Sequence, residues 1–159
     1  MKKLLYLSMF LWLVLTGCTQ EKKEFTVLQW NIWQEGTMVP GYEAIVDEII
    51  RLRPDFVTLS EVRNYNNTNF TARLTRSLKE KGETYYSFYT YDTGLLSRYP
   101  ITDSLTVFPE NGDHGSIYRL TTDMNGKKMA VYTSHLDYLD DAYYNVRGYD
   151  GSTWEEIPI

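Results

Sequence analysis

Four side chains concentrate the chemistry available to this sequence: Asn31, Glu61, His135 and Asp137. Each sits where an apolar, β-rich run gives way to polar residues. Asn31 closes the run from Phe25 to Ile32, and Glu61 follows the run from Phe56 to Leu59. His135 and Asp137 follow a run that starts near Met129. An amide oxygen and a carboxylate are hard ligands, suited to Mg²⁺ or Ca²⁺ rather than zinc. A histidine with an aspartate two residues on adds an ionisable pair near neutral pH. Taken singly, Asn31 also reads as a turn residue, Glu61 as a solvated loop acid and His135 as a structural histidine. Three polar strand exits that meet on one rim favour a site, because open α/β sheets bind ligands beyond the carboxyl ends of their strands.

The elements that must position these groups follow from periodicity. Phe25–Ile32 and Phe56–Leu59 read as buried strands. Between them Pro40-Gly41 opens a helix on which Tyr42, Ile45, Val46, Ile49, Ile50 and Leu52 share one face, and Pro54 ends it. Strand, helix, strand in so short a span is a βαβ unit with parallel strands. Ser60–Asn69 reads as a polar loop. A second helix is expected over Phe70–Lys81, stopped by Gly82. Tyr85–Tyr91, Gly94–Ser97 and Ile101–Phe108 read as strands. Ser116–Thr122 and Lys128–Ser134 read as a hairpin turning at Asn125-Gly126. Asp140–Ile159 shows no periodicity. His114, in the loop before that hairpin, and Arg119, within it, are weaker candidates for substrate contact; a surface loop and an outward strand position explain them equally well.

The bulk numbers set bounds. The chain has 159 residues, 43% of them hydrophobic and 23% charged, enough for one domain with a real core. A net charge of −5 gives no general attraction for a polyanion. Lys2 and Lys3 precede an apolar run from Leu4 to Leu15, too short for a membrane span and suited to a signal-peptide core. It ends in Leu15-Thr16-Gly17-Cys18, which resembles a bacterial lipobox. Cys18 is the one cysteine in the chain, so no disulfide can form within it and lipidation explains it best. Residues 1–17 are therefore expected to be a lipoprotein signal, 18–24 a polar tether and 25–159 the working domain, held in the cell envelope outside the cytoplasm.

The stretches LQWNIW, RPDFVTLSEVR, GLLSRYPI and KMAVYTSHLDY occur here in this order. In order and approximate spacing they resemble the endonuclease/exonuclease/phosphatase family of metal-dependent phosphoesterases, which includes DNase I-like nucleases, sphingomyelinases and inositol phosphate phosphatases. The resemblance covers most of Thr26–Tyr138. It implies an α/β fold, the N-terminal part of a DNase I-like two-sheet sandwich. It implies that Glu61 holds a divalent ion, Mg²⁺ with Ca²⁺ or Mn²⁺ as substitutes, and that Asn31 orders that site. By the same resemblance His135 contacts the scissile phosphate and Asp137 orients the rim, while Gly94, Ser97, Arg98 and Pro100 shape a strand near the cleft.

The family's later Gly-Asp-x-Asn motif and Asp-His pair have no counterpart after Asp137, so the second half of the active site and of the sandwich is expected to be absent. The expected function is a phosphodiesterase or phosphatase, inactive or weak as this chain alone. Its expected substrate is a small or lipid-head-group phosphoester rather than duplex DNA, and it is expected to act as a monomer tethered to a membrane. The alternative, from another class, is a lipid-anchored binding protein that keeps the scaffold without catalysis.

Overall fold

The computed structural model describes residues 24–38, 41–109, 115–124 and 126–136. Among the described residues two α-helices and two sheets form three layers. Strand β1 (Val27–Asn31) leads to helix α1 (Tyr42–Leu52) and then to β2 (Phe56–Val62). β1 and β2 pair in parallel, with Val27 opposite Phe56 and Asn31 opposite Ser60, as the βαβ reading requires. Helix α2 (Phe70–Glu80), the short β3 (Tyr86–Ser87) and β4 (Asp92–Ser97) follow. The first sheet runs β1-β2-β4-β3. The second is an antiparallel meander, β5 (Ile101–Phe108), β6 (Gly115–Met124) and β7 (Lys127–Leu136).

Local chemistry explains the boundaries. α1 buries Ile45, Val46 and Ile49 and ends on Arg53, whose left-handed backbone (φ 49°) lets its N–H donate to the Ile49 carbonyl before Pro54. α2 starts on Asn69, whose side-chain oxygen accepts the Ala72 N–H at 3.0 Å. It ends before Gly82 at φ 90°, where glycine bears no steric penalty. The hairpin between β6 and β7 places Met124 opposite Lys127, with Gly126 at φ 82° as a tight hairpin turn needs.

β2 divides the core. Val57 and Leu59 face the helices and pack with Ile45, Val46, Ile49, Phe70, Leu74 and Leu78. Phe56, on the other face, packs between the sheets with Leu95, Tyr118, Leu120 and Met124.

Two sequence expectations need correction. The second strand does not stop at Leu59 but runs on through Glu61 to Val62. The segment Tyr85–Tyr91 is a strand only at Tyr86–Ser87. Side chains have taken its later carbonyls from the ladder: Thr71 Oγ1 donates to Phe88 O at 3.1 Å, and Asn64 Nδ2 to Thr90 O at 2.8 Å. The Gly94-to-Pro100 segment, expected to shape a strand near the cleft, lies by the bulged end of β2 only at Gly94. A Cβ at Gly94 would meet Val62 Cγ2 at 3.1 Å and Thr71 Cγ2 at 3.2 Å. Arg98 pairs with Glu83 and donates to the Arg53 carbonyl at 3.2 Å, at the opposite end of the strand.

Candidate functional site

Glu61 occupies a β-bulge. The β2–β4 register runs Ser60 to Thr93 and then Val62 to Asp92, so Glu61 is the extra residue, held at φ 66°. Without the bulge, alternation would aim Glu61 at the helices beside Val57 and Leu59. The inserted residue gives that position to Val62, which joins the helical core, and turns Glu61 to the rim. A left-handed glutamate is strained, so its surroundings must fix it. They do: Asn31 Nδ2 donates to Glu61 Oε1 at 2.7 Å and the Gln34 N–H to Oε2 at 2.8 Å. The Glu35 N–H donates to the Glu61 carbonyl at 3.1 Å.

The loop that supplies those donors is itself unusual. Trp33, Gln34, Glu35 and Gly36 all have positive φ, from 45° to 74°. The Gly36 N–H donates to Ile32 O at 2.7 Å, closing one left-handed turn. Three of its residues are not glycine, and each carries a steric penalty of about 1–2 kcal/mol. Asn31 Oδ1 accepts the Trp33 N–H at 2.8 Å, and buried Glu35 accepts the Asn64 N–H at 2.5 Å. Asn31 thus does two things: its oxygen starts the turn and its nitrogen holds Glu61.

On the second sheet, His135 lies near the end of β7, opposite Ser116. Its Nδ1 is 2.7 Å from Asp92 Oδ2, across the sheet interface. Asp92 is 2% exposed and has the Arg63 guanidinium 2.9 Å from its other oxygen. The hydrogen bond to Asp92 raises the His135 pKa most; burial opposes it, and the charges of Asp92 and Glu61 add to the rise. The imidazolium form is favoured, with Nδ1–H donating to Asp92 and Nε2–H left to donate outward. Asp92 pairs with Val62, the neighbour of Glu61, and meets His135 at 2.7 Å, which brings both groups to one rim where the ends of β1, β2 and β7 come together.

Asn31, Glu61 and His135 are therefore gathered as the sequence suggested, with Glu61 within its strand instead of past it. Asp137, His114 and Cys18 lie outside the described residues. Arg119 is elsewhere: it faces outward on the second sheet, level with Leu105 and Tyr132, and pairs with Asp103 at 2.5 Å. The weak expectation of a phosphate contact there is not met, because alternation along β6 turns Ser116, Tyr118 and Leu120 inward and Arg119 out.

Sequence reasoning missed Asp92, Arg63 and Gln34. Asp92 precedes the Gly94 motif by two residues and looks like a turn acid; nothing local signals a buried carboxylate. Among the described residues no three His, Cys, Asp or Glu side chains cluster as a ready metal cage. One carboxylate with both oxygens held by N–H donors, plus an amide, instead suits a cation that keeps several waters and takes the rest of its shell from substrate.

A family model described as Endonuclease/Exonuclease/phosphatase family matches residues 28–155. No curated protein matches. Among solved structures the chain is similar to an endonuclease/exonuclease/phosphatase family protein from Leptotrichia buccalis C-1013-b, at 15% identity over 75% of this chain and 56% of that one, TM-score 0.54. It is similar to humanized D. rerio TDP2, at 19% identity over 71% and 47%, TM-score 0.53. It is also similar to ANGEL2, a 2′,3′-cyclic phosphatase, at 15% identity over 72% and 41%, TM-score 0.54. The chain spans about half the length of the solved structures it matches. These likenesses show the fold: a mixed α/β, two-sheet arrangement of the DNase I type.

Proposed function

The chain belongs to the endonuclease/exonuclease/phosphatase family, and from that premise we propose that its rim binds a divalent ion and the phosphate of a phosphoester for hydrolysis. The observation that carries this reading is the pairing of two prepared groups: Glu61 clamped by Asn31 and Gln34, and His135 held by Asp92. Glu61 would hold Mg²⁺, with Asn31 fixing the carboxylate's orientation. Bound there, the ion would polarise a phosphoryl oxygen.

The chain's own groups do the rest. Asp92 fixes the imidazole so that Nδ1 carries a proton toward it and Nε2 points its own proton outward. A phosphoryl oxygen that gains charge in the transition state receives a stronger hydrogen bond from a charged donor. Arg63 steadies Asp92 from the far side, its guanidinium 2.9 Å from the second carboxylate oxygen. The negative net charge supports a small or head-group phosphoester over a duplex.

Trp33 donates its backbone N–H to Asn31 and so reports on the site. Mg²⁺ titrated into the protein is expected to change tryptophan fluorescence and to raise the melting temperature. Glu61→Gln, which keeps the shape but removes the charge and can accept only one of the two side-chain hydrogen bonds, is expected to lose both responses. An unchanged Mg²⁺ response in Glu61→Gln would contradict the assignment.

A further inference from the structure

A cavity of about 450 Å³ opens beside Gln34, whose N–H holds Glu61. Its walls include Gln34, Arg63, Tyr65, Asn66, Asn67 and Tyr91. It is tied to the metal-holding carboxylate through one residue: the Gln34 N–H donates to Glu61 Oε2, and Gln34 Oε1 accepts the Tyr65 hydroxyl at 3.0 Å. It is tied to the phosphate-contacting histidine through another, since Arg63 lies against Asp92. The cavity therefore adjoins both halves of the rim.

Its chemistry is specific. Asn64 anchors the wall from beneath: its amide donates to Thr90 O at 2.8 Å and its carbonyl accepts the Phe70 N–H at 2.9 Å. Asn66 and Asn67, held at φ 58° and 57° in the turn that follows, are exposed on the cavity wall. Each amide offers donors and an acceptor, and the Tyr65 hydroxyl, which donates to Gln34, can still accept. Arg63 brings the lone formal charge among the lining residues, and Asp92 already faces it. A second anionic group would meet no free cation in this lining. An apolar group would bury amides without partners, at about 1–3 kcal/mol each. Hydroxyl groups, which donate and accept, match the lining on both counts.

We propose that this cavity holds the alcohol portion of the phosphoester and selects an uncharged, polyhydroxylated one, such as a sugar. This rests on the phosphoester reading above, and the experiment separates the two. Binding of inorganic phosphate, glucose 1-phosphate and phenyl phosphate is measured by calorimetry on the full chain in Mg²⁺. Glucose 1-phosphate is expected to bind about tenfold tighter than phenyl phosphate. Asn66→Gly with Asn67→Gly, which removes both amides and suits the left-handed backbone there, is expected to erase that preference while inorganic phosphate affinity stays within about twofold. Both side chains are exposed, so the fold should survive their loss, and an unchanged melting temperature would verify it. If inorganic phosphate binds but phenyl phosphate binds equally well, or the preference outlives both substitutions, the cavity assignment is overturned and the phosphate site stands. If inorganic phosphate does not bind, the phosphoester reading fails and this assignment falls with it.

Discussion

His135 is a histidine with a carboxylate behind it and a carboxylate beside it, and its protonation decides what it can do. Its pKa is raised, chiefly by the hydrogen bond it donates to Asp92. The sign follows: the contribution of the charged pair is fully present below the unfolded value of about 6.5 and fades as pH rises through the higher folded value. Phosphate affinity should follow the same curve, strong on the acid side and falling above the folded pKa. Asp92→Asn removes the main cause, so the His135 titration, read from its ring proton resonances, should move to lower pH, and the phosphate-binding curve should move with it. A titration unmoved by Asp92→Asn would separate the two residues. The sequence holds only His114 and His135, which keeps the assignment simple. At this scale the residue types were legible in the sequence, because amide, acid and imidazole each stood at the end of an apolar run. Their partners were not. Asp92 is 43 residues from His135 in sequence and meets it across the gap between two sheets, a distance no local pattern encodes.

Elements aim these residues, and here the bulge in β2 matters more than the strand's hydrophobicity. The run Phe56–Leu59 announced the strand. The bulge at Glu61 was invisible, because it depends on β4 supplying Asp92 opposite Val62. Asp92 itself sits at φ 62°, so both sides of this ladder depart from regular geometry at the site. Two residues along the ladder, Gly94 admits Val62 and Leu59 from β2 and Thr71 from α2 at contact distance, and any side chain there would push the bulged strand. Gly94→Ala should therefore destabilise the protein by about 1–3 kcal/mol, seen as a lower urea midpoint. It should also weaken Mg²⁺ binding, although residue 94 touches no ligand. A Gly94→Ala protein as stable as the parent would mean that the contact is slack.

Across the whole molecule, the two sheets meet on Phe56, Leu95, Tyr118 and Leu120, and that interface sets how far Glu61 lies from His135. Leu120 is fully buried there, so Leu120→Ala should lower stability by about 2–5 kcal/mol and loosen the site with it. The parallel βαβ pair, both helices and the hairpin were readable from period and turn residues, since those are local. The assignment of strands to two sheets came from the resemblance of four ordered motifs, because period alone does not say which strands pair. The lipid anchor proposed at Cys18 belongs to this scale too: fatty-acid labelling of the protein in its host envelope is expected, and Cys18→Ser should abolish it.

The central claim is that Glu61 and His135 share one rim and that a divalent ion binds between the charges there. The most direct measurement is the His135 titration by NMR with and without Mg²⁺. A cation held by Glu61 cancels the negative charge that helps to raise the His135 pKa, so saturating Mg²⁺ should shift that titration to lower pH in the native protein and leave it unchanged in Glu61→Gln. A His135 titration indifferent to Mg²⁺ in the native protein would contradict the account.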